Sequence, residues 1–421
     1  MKQLTVFLSL LIPLFLQAQI SITGTLLDSQ SKESIAYAQL RTPSGWGTIT
    51  NSEGRFRINL PAHERITITH LAYQAEEIDS RKAHQEEAIT FLLVPRPMEL
   101  EAVIITPIDP IELLEEAVAS IPDNHGHDPI MSQAFYREFL QVGDSGVRLN
   151  EAVVELYQQG NGVSSHRTSQ AQLIKGRSSE AQMPFNNVHL MFGGGGIQSA
   201  AGIPVIGSPK AEAFIGKKVY KNYTYTLKDV VSHNGRDTYV IHFDQKRKLR
   251  KRLYQGNIYL DTKTLAFVQV DYQTSQRGKK FRFGQIAGLT GMAAKAALRL
   301  AGIKLELLDD QGRQQFVYQN GQWYLNSANH QFRANLEKKR GEEQKQYVLD
   351  VSRDFVITHY EQETAAHPIP EAQRLNPETS LSKQTGVYDE SFWDNYTYLP
   401  ASTPLYQTIN RWHGSQETVD P

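Results

Sequence analysis

Hydrophobic and polar positions change their spacing several times along the chain. From residue 20 to about residue 95, short runs alternate at period two, as in Ile20-Ser21-Ile22-Thr23-Gly24-Thr25-Leu26, Arg55-Phe56-Arg57-Ile58-Asn59-Leu60 and Arg65-Ile66-Thr67-Ile68-Thr69. Period two predicts strands with one buried face, and the turn chemistry between the runs predicts an all-β sandwich. Asn51-Ser52-Glu53-Gly54 is a turn in which Gly54 takes a positive φ at little cost. The strand after it places Phe56, Ile58 and Leu60 on one face.

Thr106-Pro107-Ile108-Asp109-Pro110 then forms a stiff connector, because each proline fixes φ and turns the preceding residue away from helix. Asp109 is placed to cap a helix starting at Pro110, with Glu112 reaching back and Leu114, Val118 and Ile121 forming its apolar stripe. Pro122 is expected to stop it. Beyond, strand patterns return at residues 239–243, 256–261, 265–272 and 346–351, and Asn320-Gly321 between 316–318 and 323–325 signals a tight hairpin. A long antiparallel meander is the expectation. Ile286, Leu289, Ala293, Ala296 and Leu300 recur at helical spacing and predict a helix packed on the sheet. Residues 192–209, rich in glycine and proline, read as a mobile loop over the sheet. In the last sixty residues, prolines interleave with Tyr388, Phe392, Trp393, Tyr396, Tyr398, Tyr406 and Trp412, which predicts an extended strap burying its rings on the β region.

At about 150 residues per domain, 421 residues predict two or three domains. A composition of 40% hydrophobic and 21% charged residues supports buried cores. With 44 basic and 45 acidic residues, no whole-protein field pulls the chain toward nucleic acid, so any electrostatic binding is local. The absence of cysteine excludes disulfides, thiol nucleophiles, thiolate zinc sites and iron–sulfur clusters. No cofactor is indicated.

Lys2, the apolar residues 4–16 and Gln17-Ala18-Gln19 have the three-part layout of a secretory signal peptide, with cleavage expected after Ala18. The apolar run is shorter than the roughly 20 residues that span a bilayer, and no later segment has 18 uninterrupted apolar residues. The expectation is an exported chain without a helical anchor after cleavage, in the periplasm or on the periplasmic face of an outer membrane.

Gly24-Thr25-Leu26-Leu27-Asp28, Ile35-Ala36-Tyr37-Ala38 and the run from Gly47 to Phe56 resemble the carboxypeptidase-regulatory-like, transthyretin-like domain, as do His70-Leu71-Ala72-Tyr73 and residues 98–103. Asn51 stands where that family usually has aspartate, and Ala72 where it has glycine. The resemblance implies an accessory β-sandwich over residues 19–105, without catalytic residues of its own. Ala134-Phe135-Tyr136-Arg137-Glu138 and Glu390-Ser391-Phe392-Trp393-Asp394-Asn395-Tyr396 extend it, over nearly the whole mature chain, to Bacteroidetes envelope proteins that contain this domain. The pair of runs from Gly256 to Val270 is similar to one hairpin of lipoprotein-carrier-like half-barrels, which hold acyl chains against a curved sheet.

Several motifs carry chemistry elsewhere. Gly143-Asp144-Ser145-Gly146 is similar to the nucleophile loop of trypsin-like proteases, but its position between two strand patterns makes it a hairpin loop. His84-Gln85-Glu86-Glu87 has a zinc-site spacing inside the accessory sandwich, where a solvated loop accounts for it. Asp123-Asn124-His125-Gly126-His127-Asp128 offers metal-ligand types without an identifiable partner and reads as a flexible turn. Glycines 193–196 lack the ending of a phosphate loop. The sharpest charge feature is Lys246, Arg247, Lys248, Arg250, Lys251 and Arg252, echoed by Arg277, Lys279, Lys280 and Arg282 after the next hairpin. A solvated hairpin loop balanced by nearby acids is the plainer account of these runs; gathered at one rim of the sheet, they suit anionic lipid headgroups, lipopolysaccharide or an acidic partner, while Ile258, Leu260, Val268 and Val270 line its inner face.

The expected fold is mainly β: a transthyretin-like sandwich over 19–105 and, over 106–421, a larger curved antiparallel sheet with a few helices and a C-terminal strap. The expected function is non-enzymatic binding of a lipid-like ligand or an outer-membrane protein partner in the envelope, without nucleic acid. The alternative is a hydrolase of envelope polymers, which would gather titratable groups in a cleft.

Overall fold

The computed structural model describes residues 20–83, 88–96, 108–126, 128–143, 145–158, 170–180, 213–233, 235–281, 302–340, 343–361, 366–376, 379, 381–385, 393 and 395–417. The signal segment, His84, residues 98–103, His127, Asp144, the glycine-rich stretch 192–209, the helical pattern from Ile286 to Leu300, Arg282, Tyr388 and Phe392 lie outside the described residues.

The alternating N-terminal runs form a sandwich. One sheet has the order β4-β1-β7, with β1 (Ile20–Asp28) antiparallel to β4 (Arg55–Leu60) and parallel to β7 (Ile89–Leu93). The other has the order β3-β2-β5-β6, from β2 (Gln39–Arg41), β3 (Gly47–Ile49), β5 (Arg65–Thr69) and β6 (Glu76–Asp79). Phe56, Ile58 and Leu60 pack with Ile22, Leu26, Leu40, Ile66 and Ile68 between the sheets. The turn forms as the sequence predicts: Gly54 has φ +73°, and the Asn51 side-chain oxygen accepts from the Glu53 and Arg55 backbone N–H groups at 2.9 Å each.

The rest is dominated by one open sheet of ten antiparallel strands, in the order β10-β9-β8-β17-β16-β15-β14-β13-β12-β11. Its strands are β8 (Ile130–Val142), β9 (Ser145–Gln158), β10 (Gln170–Glu180), β11 (Tyr223–His233), β12 (Arg236–Gln245), β13 (Tyr254–Asp261), β14 (Phe267–Thr274), β15 (Ile303–Gln319), β16 (Gln322–Arg340) and β17 (Glu343–Tyr360). The chain lays down a meander from β11 to β17 and closes it back onto the earlier β8-β9-β10 meander through the β17–β8 pair. Asn320 and Gly321 take φ +51° and +86° and turn β15 into β16, as the dipeptide predicts. Leu265 takes φ +56°, so the strand predicted from residue 265 begins only at Phe267.

Strand alternation gives this sheet two distinct faces. The inner face carries Tyr136, Val154, Ile258, Leu260, Val268, Val270 and Phe355 in one core with Leu114 and Ala117 of a helix at Pro110–Ala119 and with Phe214 and Tyr220. The four aliphatic side chains expected there are present and fully buried, as parts of a packed core. The Asp109 cap forms, its carboxylate accepting from the Ile111 N–H at 2.8 Å. The predicted stripe is corrected at one position: Ala117 faces in and Val118 is 39% exposed. Pro122 does not end helical structure either, because it sits in the first turn of a short helix at Ile121–Asn124, a position where a missing N–H costs nothing.

The outer face of the sheet packs on the sandwich and on the C-terminal segment. Phe135, Val153 and Val356 meet Ile49, Trp393 and Leu399, and Trp46 stacks on His359 with ring centroids 4.2 Å apart. The strap therefore buries Trp393 and half-buries Tyr396 and Tyr398, as expected. It is not extended to its end: residues Thr403–Glu417 form a helix, and Tyr406 on it is 59% exposed. Among the described residues no helix is long and apolar enough to cross a membrane.

Candidate functional site: a basic rim and a polar cleft

The β12–β13 connector holds the first basic run and the turn after β14 holds the second. Antiparallel pairing of β13 with both β12 and β14 brings these two connections to the same end of the sheet. The Arg277 guanidinium donates to the Gln245 carbonyl at 3.1 Å and pairs with Asp244 at 3.0 Å. Gln245 in turn donates to the Lys251 carbonyl at 3.0 Å, and Arg252 donates to the Lys279 carbonyl. Lys246, Arg247, Lys248, Arg250, Lys251, Lys279 and Lys280 are all exposed along this rim. Arg252 differs from them: it donates to the carbonyls of Leu307 and Leu308 at 3.0 and 2.9 Å, tying the rim to β15. It is a structural residue of the group expected to bind anions.

The other motifs resolve into structure. The serine motif falls where β8 turns into β9, with Val142 opposite Ser145 and Gly143 at φ +61°. Within the stretch expected to be a flexible turn, Asn124 and His125 are instead anchored. The His125 ring is buried and its Nε2 accepts the Phe267 backbone N–H at 3.0 Å, while Asn124 donates to the Thr264 carbonyl at 2.6 Å. Burial alone holds the His125 pKa down to about 4, so the ring is the neutral acceptor this bond requires. Among the described residues no group of three metal-ligating side chains forms.

The pattern of single strands did not reveal that charged residues are stacked across the sheet. On the outer face one cross-strand row runs His242, Asn257, Asp271, Arg313, Asn329, Asp354, Arg137, Glu151 and Arg177, from β12 to β10. Arg313 pairs with Asp271 at 2.6 Å. Glu151, 2% exposed, is held by Arg137 at 2.7 Å and Arg177 at 2.6 Å. Burial opposes its charge, but the two guanidiniums outweigh burial and hold its carboxyl below the usual range. On the inner face the neighbouring residues form a second buried set, in which Glu138 is paired with Arg353 at 2.8 Å. The signal available in sequence was the adjacent charged pairs Arg137-Glu138 and Arg353-Asp354, each followed by apolar residues within its strand, which must send one charge to each face.

Above this row, a cleft of about 510 Å³ opens between the sandwich, the outer face of the sheet and the C-terminal segment. The sandwich contributes Tyr37, Asn51 and Ser52. The sheet contributes Arg137, Gln141, Asp309, Gln311, Gln331, Arg333, Asp350, Ser352 and Asp354, and the C-terminal segment Leu399, Pro400, Ser402 and Pro404. Arg333 sits between Asp309 and Asp350 in register and pairs with Asp350 at 2.6 Å. Asp354 accepts from the Asn329 amide at 2.7 Å. Burial pushes its carboxyl above the usual range despite the nearby Arg137 charge.

Residues 22–105 match the family model of the CarboxypepD_reg-like domain, so the sandwich is a domain of that kind. No curated protein matches the chain. Among solved structures, MucB in complex with periplasmic MucA is similar at 12% identity and a TM-score of 0.21, covering 59% of this chain and 94% of that one. A DUF1329 family protein from Desulfovibrio piger is similar at 12% identity and a TM-score of 0.22, over 61% and 95%. A membrane-associated protein of unknown function from Bacteroides fragilis follows at 10% identity and a TM-score of 0.14, over 82% and 99%.

Proposed function

We propose that the protein is a non-enzymatic, exported binding protein of the cell envelope that attaches through its basic rim to a surface carrying anionic lipid headgroups. The observation that carries this reading is the joining of two basic runs, some thirty residues apart in sequence, at one end of β12, β13 and β14. Seven exposed cations there are backed by the backbone bonds of Arg252 and Arg277. Each basic side chain near an anionic surface adds about 1 kcal/mol, decaying within a Debye length as salt rises. The inner-face aliphatics belong to the packed core, which favours headgroup attachment at the rim over an acyl chain in the sheet.

The test is flotation with vesicles of phosphatidylglycerol and phosphatidylcholine. Replacing Arg247, Lys248, Arg250 and Lys251 with glutamate, and keeping Arg252, is expected to abolish association in low salt without lowering the unfolding midpoint. Unchanged association, or none by the unaltered protein, would remove the rim from the function.

The hydrolase reading rests on Asp354, a carboxyl with a raised pKa in a cleft that also holds Asp309 and Asp350. Against it, Asp350 is engaged by Arg333 and Arg137 by Glu151.

A further inference from the structure

None of the basic rim residues lines the polar cleft, whose own lining has a definite chemical character. We infer that it binds a linear, uncharged oligosaccharide. Both guanidiniums that line it are paired with carboxylates. Arg137 donates to Glu151 and to the Leu399 carbonyl, and Arg333 donates to Asp350. The charge of each is thus offset by a carboxylate. Three carboxylates also line the cleft, of which Asp350 pairs with Arg333, Asp354 accepts from Asn329 and Asp309 accepts from the Asp310 N–H, and the rest of the polar lining includes amides and hydroxyls such as Gln311, Gln331, Ser352 and Ser402. Each such group both donates and accepts, as a sugar hydroxyl does. Tyr37, whose ring carries the Arg313 guanidinium at 4.9 Å on one side, and Pro400 also line the cleft and add apolar surface of the kind that packs on the C–H face of a sugar ring. The volume of about 510 Å³ lies within the roughly 300–1,000 Å³ of small-molecule sites.

A second observation gives the ligand its length. Gln255, Gln273, Gln311 and Gln331 stand opposite one another on β13, β14, β15 and β16, and Ser352 continues the row on β17. The Gln311 amide donates to Gln331 at 2.8 Å, and Gln273, Gln311 and Gln331 are exposed. With strands about 4.8 Å apart, four glutamines make a track of about 14 Å leading out of the cleft. This uncharged row lies beside the charged row that contains Asp271, Arg313 and Asp354. Such a track suits a chain of several sugar units.

The test is calorimetric titration of the full chain with maltotetraose, cellotetraose and chitotetraose, and with tetralysine as a cationic control. Binding of at least one saccharide with a Kd of about 1 mM or tighter is expected, and none of tetralysine. The exposed pair Gln311→Ala and Gln331→Ala should weaken that binding at least tenfold, and Ser352→Trp should abolish it by filling the cleft. Both variants should keep their vesicle association, which separates failure of this site from failure of the rim. No binding of any of the three saccharides, binding of tetralysine alone, or saccharide binding that survives both variants would overturn the inference.

Discussion

The Asn51 side-chain amide donates to the Pro400 carbonyl at 3.1 Å across 349 residues of sequence. Its oxygen is already engaged by two backbone N–H groups of the Gly54 turn, so the orientation of the amide is fixed by its partners. The related domains usually carry aspartate here, which serves the turn equally well but has nothing to donate. In this chain asparagine both closes the turn and holds the C-terminal segment, next to Thr397, whose hydroxyl accepts the Asn59 N–H at the sandwich edge.

Asn51→Asp is therefore expected to leave the sandwich folded and to release the C-terminal segment. Setting a carboxylate oxygen against the Pro400 carbonyl costs about 1–3 kcal/mol. Limited proteolysis should cut near residue 400 in the variant well before it cuts the native chain. Equal cutting rates would show that the bond does not hold the segment.

Glu151→Gln removes the anion shared by two buried guanidiniums. Leaving those charges uncompensated costs about 3–5 kcal/mol in urea unfolding. The folded-state pKa of Glu151 is lowered, so its contribution is complete above the unfolded carboxylate pKa and is lost as pH falls through the folded value. The variant should accordingly lose stability less steeply in acid than the native protein.

His125 supplies a second acid-sensitive element. With its pKa held at about 4 against an ordinary value of 6.5, it contributes fully above pH 6.5 and loses that contribution progressively as pH falls toward 4. The difference is equivalent to about 3 kcal/mol at full protonation. His125→Gln, which keeps an acceptor for the Phe267 N–H, should flatten the stability profile between these pH values. An unchanged profile would mean that the ring is not the titrating group.

Asp354 has the opposite sign. Its folded pKa is raised, so ionisation costs stability as pH rises from the unfolded value through the folded one. Asp354→Asn should be more stable than the native protein at pH 7 and equal to it at about pH 3. Lower stability at pH 7 would show that the ionised carboxylate is held by Arg137.

Arg252 should behave unlike the other rim residues. Arg252→Ala leaves the Leu307 and Leu308 carbonyls without their donor and should cost about 1–3 kcal/mol, whereas Lys248→Ala and Arg250→Ala should leave the thermal midpoint unchanged. Differential scanning fluorimetry distinguishes the two classes, and a shared loss of stability would contradict the structural role given to Arg252.

Local sequence determined the elements whose cause is local. Period-two alternation set the faces of β1, β4 and β13, Asp109 capped its helix, and Gly54 and Asn320-Gly321 fixed their turns, because each depends on residues a few positions apart. Composition removed cysteine chemistry outright. The meander order also brought the basic runs to one end, since two connections of successive hairpins on the same side of β13 must meet there. Only the tertiary structure decided what depends on register across ten strands. Whether Glu151 faces Arg137 and Arg177, or Gln311 faces Gln331, turns on pairings that a one-residue slip would reverse, and no short window of sequence contains them. The anchoring of His125 and of Asn51 was hidden for the same reason: each side chain's partner lies more than 140 residues away, and burial, which decides both the charge on His125 and the use of the Asn51 amide, exists only once the distant segments have packed together.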